Sequence, residues 1–521
     1  MKLDVFPLQF KVKLLGLPLA IALVALYHHP LLALRLLLLG CALVALLSGV
    51  AFGLYCYFWN GYQYKRRLNS HRYPEPESVY LGRCDKKRSV FMPASARSSH
   101  TQVIGSTNAG KSESIILPWA ITDIENGNGL LIIDGKSDSS FRDKLYSYVC
   151  KANRQDDFRF FSLAAIDESH TFNPLSGAQP HEVCERVFAS FPIENPHYRA
   201  VQSSIFHCVL SLIAAQKVTP TFALVSCLLS SPDVLAAWNM GNSDPQTKEP
   251  LDNLLQLSRS EFLNVTSGLQ ANIAHFTQGT TSVLFNDLNP QITFDEVMSR
   301  NLICYFQLPT MFSPVLAEAT GKLVLQTFAH AVSRRHLGKA ASPNFFSCYL
   351  DDFQDYLYPG FGSLLNKSRS ANVGVVFSHQ ALGDLDKVGP HFKNVVVSST
   401  NVKVVMRTID PDTCDFYARA IGTETSEKVT ERQTRSWFWT TKTGEGSARE
   451  VEKYIVHPKE LRSLKRGQGV VTIPNPLGVN TVRVSFQMRP AIAPVDLPIV
   501  KKTSLDWKTL ALPPSLSTRN S

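Results

Sequence analysis

Two apolar stretches open the chain. Leu36–Trp59 runs without a charge and is long enough as a helix to cross a hydrocarbon core of ~30 Å. Leu14–Tyr27 is also apolar but short, and spans only if Lys11 and Lys13 snorkel and the stretch Val5–Phe10 contributes. Together they predict a two-helix transmembrane hairpin over residues 1–60, with His28, His29, Pro30 and Arg35 in its short outer turn. Lys2, Lys11 and Lys13 precede it, and Lys65, Arg66, Arg67 and Arg72 follow, which puts both ends on the cytoplasmic side. The competing reading is a cleaved signal peptide. Two segments, and no small-residue cleavage site, speak against it.

Beyond the hairpin the pattern changes several times. Residues 61–100 are polar and basic with Pro74, Pro76 and Pro93, a linker leading into the first strands. Residues 101–176 alternate: a strand at Val103–Ile104, a helix after Lys111, a buried strand at Leu130–Ile133. Over 177–290 the spacing is helical, with Val201, Ile205, Phe206, Val209, Leu212 and Ile213 marking one face, and predicts an all-α insertion. From 291 to 490 strands return at Leu302–Phe306, Phe345–Leu350, Val373–Phe377 and Val402–Met406. The alternation predicts an α/β domain whose parallel sheet is covered on both faces. Residues 424–449 read as a charged surface or channel loop around Trp437-Phe438-Trp439, and 491–521 as a Pro-rich flexible tail.

The length, 521 residues, suits one membrane anchor plus two or three domains. A net charge of +10 points to an acidic partner, nucleic acid or an anionic membrane face, and the positive-inside bias supplies part of the excess. The 10 cysteines fall singly, without a CxxC pair and without histidines at ligand spacing. This excludes a disulfide scaffold and a zinc site, and fits reduced thiols in a cytosolic body.

The chemistry centres on Gly105-Ser106-Thr107-Asn108-Ala109-Gly110-Lys111-Ser112, a complete GxxxxGKS phosphate loop between a strand and a helix. Its glycines let successive N–H groups turn inward on an anion, and the following helix adds the positive end of its dipole. Lys111 is placed for the β- and γ-phosphates of ATP, and the Ser112 hydroxyl for Mg²⁺. Hydrolysis further requires carboxylates at the end of a buried strand. Phe345–Leu350 ends in Asp351-Asp352: Asp351 is the candidate for the metal and its water, Asp352 for the attacking water. A charged strand end that merely caps a turn is the bland alternative. The phosphate loop and this acidic tip are expected on adjacent strands. A second acidic tip, Ile132–Asp138, reads as a turn, and Gln380 at the end of Val375–His379 is a candidate sensor of the γ-phosphate.

These residues resemble the type IV secretion coupling proteins, the conjugative DNA-transfer ATPases of the TraD/TraG type. The resemblance covers most of the chain. It rests on the apolar N-terminus, the phosphate loop with Pro118 after it, and Asp134-Gly135-Lys136-Ser137-Asp138. It continues in Phe172-Asn173-Pro174-Leu175 ahead of the helical part, Leu350-Asp351-Asp352-Phe353, and the strand ending at Gln380. Two departures stand out: Asp352 where the family usually has Glu, and Ser137 where it usually has Gly. The first puts the water-positioning role in doubt more than the metal role. The resemblance implies a RecA-like motor that forms a homo-hexameric ring, anchored at the bacterial inner membrane with most of the chain in the cytoplasm. It implies ATP-driven transfer of DNA or relaxase-bound DNA to a secretion channel, with relaxosome components or effectors received by the all-α insertion. In such a ring an arginine acts in trans, and Arg369 is the candidate. DNA contact by a translocase is sequence-independent, and Arg432, Arg435 and Lys442 beside Trp437 and Trp439 suit it. An FtsK-like chromosome translocase and a docking receptor that binds ATP without turnover are the alternatives.

Overall fold

A computed structural model describes residues 27, 30–68, 78–191, 193, 195–338, 344–389, 391–435, 440–475 and 478–503. Pro30–Leu68 is one helix of 39 residues. Within it Leu38–Trp59 is the one stretch, among the described residues, long and apolar enough by itself to cross a membrane. Of the expected two-helix hairpin, the second segment lies in this helix, and the first lies outside the described residues apart from Tyr27. Pro30 and Arg35, expected in a turn, stand inside the helix, because proline fits a first helical turn that needs no N–H partner. The helix also continues through Lys65-Arg66-Arg67, where a linker was expected.

The second unit is built on an 11-stranded sheet ordered β2-β1-β13-β12-β9-β3-β8-β7-β4-β6-β5. The strands are β1 (Val79–Cys84), β2 (Ser89–Met92), β3 (Thr101–Ile104), β4 (Gly129–Asp134), β5 (Phe158–Ser162), β6 (Ile303–Gln307) and β7 (Phe346–Asp351). They continue with β8 (Val373–His379), β9 (Val402–Met406), β12 (Gln468–Asn475) and β13 (Gly478–Phe486). From β9 to β5 every pairing is parallel. On the other side of β9, β12, β13, β1 and β2 pair antiparallel. Parallel strands buried on both faces explain the unbroken apolar runs in the sequence.

Alternate residues of each strand enter opposite cores, as the period of two requires. Leu130, Ile132, Ile303, Tyr305 and Tyr349 face the helices Leu117–Glu125 and Ser139–Lys151. Leu131, Ile133, Cys304, Phe306 and Leu350 face the opposite layer, which holds Pro314–Leu337 and the helices between β5 and β6. Those helices open on proline at Pro180, Pro196, Pro232 and Pro245. Their starts are capped by Asn195, Ser231 and Asp244 side chains, which supply acceptors for otherwise unpaired N–H groups. The Asn-Pro-Leu triplet acquires a physical reason here. Asn173, buried, donates to the carbonyls of Pro220 (2.9 Å) and Asp287 (3.1 Å) and accepts from the Leu175 N–H (2.9 Å). One amide thus ties together the beginning and the end of the helical segment.

Three further expectations change. β8 stands between β3 and β7, so the phosphate loop and the acidic tip are not on adjacent strands. Residues 424–435 and 440–449 are not a loop: they lie in a two-stranded antiparallel ribbon, β10 (Thr423–Arg435) and β11 (Thr440–Tyr454). Arg432 and Arg435 fall in β10 and Lys442 in β11, while Trp437, Phe438 and Trp439 lie outside the described residues. The tail is not loose through residue 503. Tyr148 Oη donates to the Pro490 carbonyl (3.0 Å), the Val495 N–H to Ser147 Oγ (3.2 Å), and the Val500 N–H to the Asp167 carbonyl (2.9 Å). Ile492 and Leu497 pack on the core. Proline there fixes an extended strap rather than a free end.

Candidate active site

The tips of β3, β8, β7 and β4 carry the polar groups that the sheet otherwise excludes. The phosphate loop leaves β3 and is fastened to the strands on either side. Ser106 donates through N–H and Oγ to the Arg407 carbonyl (2.9 Å each) after β9, and the Gly105 N–H donates to the His379 carbonyl (3.3 Å) of β8. Asn108 and Gly110 take left-handed backbone, φ 61° and 97°, which turns the loop back on itself. At Gly110 an added Cβ would stand 3.0 Å from Ser114 Oγ. Beyond Lys111 the helix begins with a π turn, Ser112–Ile116, before regular α-helix from Leu117.

Lys111 is buried, and its Nζ donates to the Gly105 carbonyl at 2.6 Å. Burial pulls its pKa below the ordinary lysine value, with Asp352 and Asp351 opposing. Ser112 Oγ donates to Asp351 Oδ2, so the loop and the acidic tip meet across β8 although they do not share a strand edge. The intervening strand contributes to the contact: Ser378 Oγ donates to Asp351 Oδ1 at 2.5 Å and accepts from the Asp352 N–H at 3.3 Å. Gln380 directly follows β8, and its Oε1 accepts from Thr107 Oγ1 at 3.1 Å. Its N–H and that of Ala381 donate to Asp384 Oδ2, both at 3.0 Å.

From the far side, β4 brings Asp134 and Lys136. Lys136 Nζ lies 2.8 Å from Asp352 Oδ2 and 4.0 Å from Asp351 Oδ2. Burial works against its charge, but the carboxylates outweigh that and hold its pKa above the usual lysine value. Asp134 accepts from Tyr305 Oη (2.9 Å) and the Lys136 N–H (2.8 Å). Burial and the nearby Asp351 raise its pKa to about 6. At the other end of the same strands Arg97, fully buried, donates to both oxygens of Asp123 (2.9 and 2.6 Å), to Ser347 Oγ (2.9 Å) and to Tyr349 Oη (2.8 Å). This locks the helix that follows the phosphate loop against β7.

Of the candidates, residues 105–112, Asp351, Asp352 and Gln380 converge within this cluster. Arg369 does not. It is exposed at the beginning of β8, the end opposite Gln380. Sequence reasoning assigned no role to Lys136 or Ser378. The signal for Lys136 was present in the polar run directly after a buried strand; Ser378 lay hidden inside an apolar one.

The residues present fit a magnesium nucleotide. Asp352 Oδ1 is buried with no hydrogen-bond partner, an acceptor aimed at something further. Among the described residues no group of three or more His, Cys, Asp or Glu could hold a metal by itself. A single Asp with a serine hydroxyl is a donor set that phosphate oxygens complete.

Residues 346–466 match the family described as the TraM recognition site of TraD and TraG. The type 4 coupling protein DotL of Legionella pneumophila is 21% identical over 412 residues, 65% of this chain and 51% of that protein. The chain thus spans about half the length of its curated relative. The bacterial conjugative coupling protein TrwB, lacking its first 70 residues, shares the fold with a TM-score of 0.58 at 14% identity, over 82% of this chain and 93% of the other. The same protein in complex with ADP and Mg²⁺ gives a TM-score of 0.58 at 14% identity, over 82% and 93%. In the mixed sheet and in the stretch 346–466 the chain is thus similar to type IV secretion coupling proteins.

Proposed function

We propose that the chain is a membrane-anchored ATPase that recruits relaxase-bound DNA or protein substrates and drives them towards a type IV secretion channel. The observation that carries the reading is the meeting of Ser112 with Asp351, beside a Lys111 that donates to the Gly105 carbonyl of its own loop. That TrwB has been obtained with ADP and Mg²⁺ supports the choice of ligand. Magnesium, when bound, offsets phosphate charge and supplies an ordered water. Ser112 Oγ would hold it directly and Asp351 through that water, while Lys111 and the N–H groups of residues 105–112 grip the phosphates. Asp352 would accept a proton from the attacking water, and Gln380, already tied to Thr107, would register whether a γ-phosphate is present.

In this reading residues 1–60 anchor the chain in the bacterial inner membrane, through the helix Pro30–Leu68 at least, and 61–100 lead into the motor. The motor comprises 101–176 and 291–490, and the helices of 177–290 receive relaxosome proteins or effectors. Residues 491–521 follow as a separate tail segment, strapped to the motor as far as 503. Arg369, remote from the site of its own chain, would complete the site of a neighbour in a homo-hexameric ring. The β10–β11 ribbon with Arg432, Arg435 and Lys442 would contact DNA through its phosphates, without regard to sequence.

One observation favours a second reading, a docking receptor without turnover: Asp352 is one methylene shorter than the family's usual Glu. Steady-state phosphate release by the detergent-solubilised full chain separates the two. Turnover above a Lys111→Ala control, rising with long single-stranded or duplex DNA, is the expected result. Turnover no higher than that control with every DNA tested would sink the ATPase reading in favour of the receptor.

A further inference from the structure

We propose that Lys136 is a positioning residue for hydrolysis: it holds one oxygen of Asp352 so that the other, Oδ1, is presented to the attacking water. The inference rests on the ATPase reading above.

The geometry is specific. Asp352 sits in left-handed backbone, φ 49° and ψ 49°, a conformation uncommon for non-glycine residues though Asp enters it more readily than most. Its N–H is fixed by Ser378 Oγ (3.3 Å) and Asp351 Oδ1 (3.2 Å). Its Oδ2 is held by Lys136 Nζ at 2.8 Å. That leaves Oδ1, buried and without a partner, as the open acceptor. A carboxylate on a single methylene has one fewer rotatable bond than Glu, so backbone placement and one ion pair suffice to aim it.

Lys136 is itself held. Its N–H donates to Asp134 Oδ1 (2.8 Å), the next residue, Ser137, takes φ 60°, and Asp138 caps the helix Ser139–Lys151 through the Ser140 N–H (2.9 Å). The Gly135 carbonyl accepts from Thr310 Oγ1 (3.2 Å) and its N–H (3.4 Å). The turn is pinned at both ends, so the Lys136 ammonium is directed at Asp352 although its side chain is 45% exposed. It also stands among Asp134, Asp351 and Asp352, whose mutual repulsion would otherwise turn Asp352 away.

The test compares the full chain with Lys136→Met, Lys136→Arg, Asp352→Ala and the double variant Lys136→Met/Asp352→Ala. Phosphate release and the Kd of a fluorescent ATP analogue are both measured. The expected result is a kcat about 30-fold lower or worse for Lys136→Met, within the range that a positioned acid or base supplies, with the Kd changed less than about threefold. Lys136→Arg recovers most of the rate, since a guanidinium also pairs with a carboxylate. The double variant is no slower than Asp352→Ala alone, because the lysine acts through that residue. A Lys136→Met enzyme at wild-type kcat, a parallel loss of kcat and affinity, or additive losses in the double variant would each overturn the inference while leaving the ATPase reading intact. A wild-type chain without turnover removes both.

Discussion

His100 shows how completely a single buried side chain can be defined. Its Nδ1 accepts from the Val375 N–H (3.2 Å), and its Nε2 lies 2.6 Å from the Leu365 carbonyl, to which the neutral ring donates. Burial lowers its pKa to about 4. The unfolded chain therefore binds a proton that the folded chain refuses between pH 6.5 and about 4, and stability falls as pH drops through that window. In His100→Gln, which keeps a donor and an acceptor, the stability lost on acidification should shrink by about 2–3 kcal/mol. Denaturant unfolding at both ends of the window measures it; identical acid losses in the two proteins contradict the assignment. At the site, Asp351→Asn should lower the magnesium-dependent kcat by about 100-fold, with nucleotide Kd changed far less. Equal loss of both would mean the metal ligand is misplaced. Residues 105–112 and the pair Asp351 and Asp352 were legible because the first is a complete motif and each directly follows an apolar strand run. Lys136 was not, since its meaning comes from a carboxylate more than 200 positions away.

At the scale of elements, apolar runs gave away the buried parallel strands, while polar strands passed for loops. The sequence of the ribbon β10–β11 has no apolar run to betray it; its strands pair from Thr423↔Tyr454 to Arg435↔Thr440. The strap after β13 was hidden for a related reason. Its hold comes from main-chain hydrogen bonds and a few side chains, which leave no periodic trace. Arg489 is the most informative of these, donating to Glu125 Oε2 (2.7 Å) and Thr122 Oγ1 (2.9 Å) on the helix behind the phosphate loop. Arg489→Ala should cost about 1 kcal/mol, since the pair is partly exposed. A chain ended after Phe486 should lose several times as much. An unchanged melting temperature in the shortened protein would show that the strap contributes nothing.

For the whole molecule, periodicity identified an α/β sheet with a helical segment inserted, but not the order of strands. Adjacency of β3 and β7 was inferred from the need for their tips to meet. The molecule meets that need with β8 in between, and Ser378 completes the contact. Arg369 belongs to this scale because it is exposed at the end of β8 opposite Gln380, and its proposed role lies between chains. If it completes a neighbour's site, mixing Lys111→Ala with Arg369→Ala protein should restore turnover above either alone, as some interfaces then pair an intact loop with an intact arginine. Mixtures no more active than the sum of their parts would exclude Arg369 from a shared site.

The staple at Asn173 has a consequence for how such a molecule diversifies. Thr171 Oγ1 donates to Asp287 Oδ2 (2.8 Å) and the Phe172 N–H to the Leu284 carbonyl (2.7 Å), so the chain departs from and returns to nearly one spot. Everything between is a cassette on a narrow doorway. It can lengthen, shrink or be exchanged for another helical segment while each strand of the sheet keeps its place.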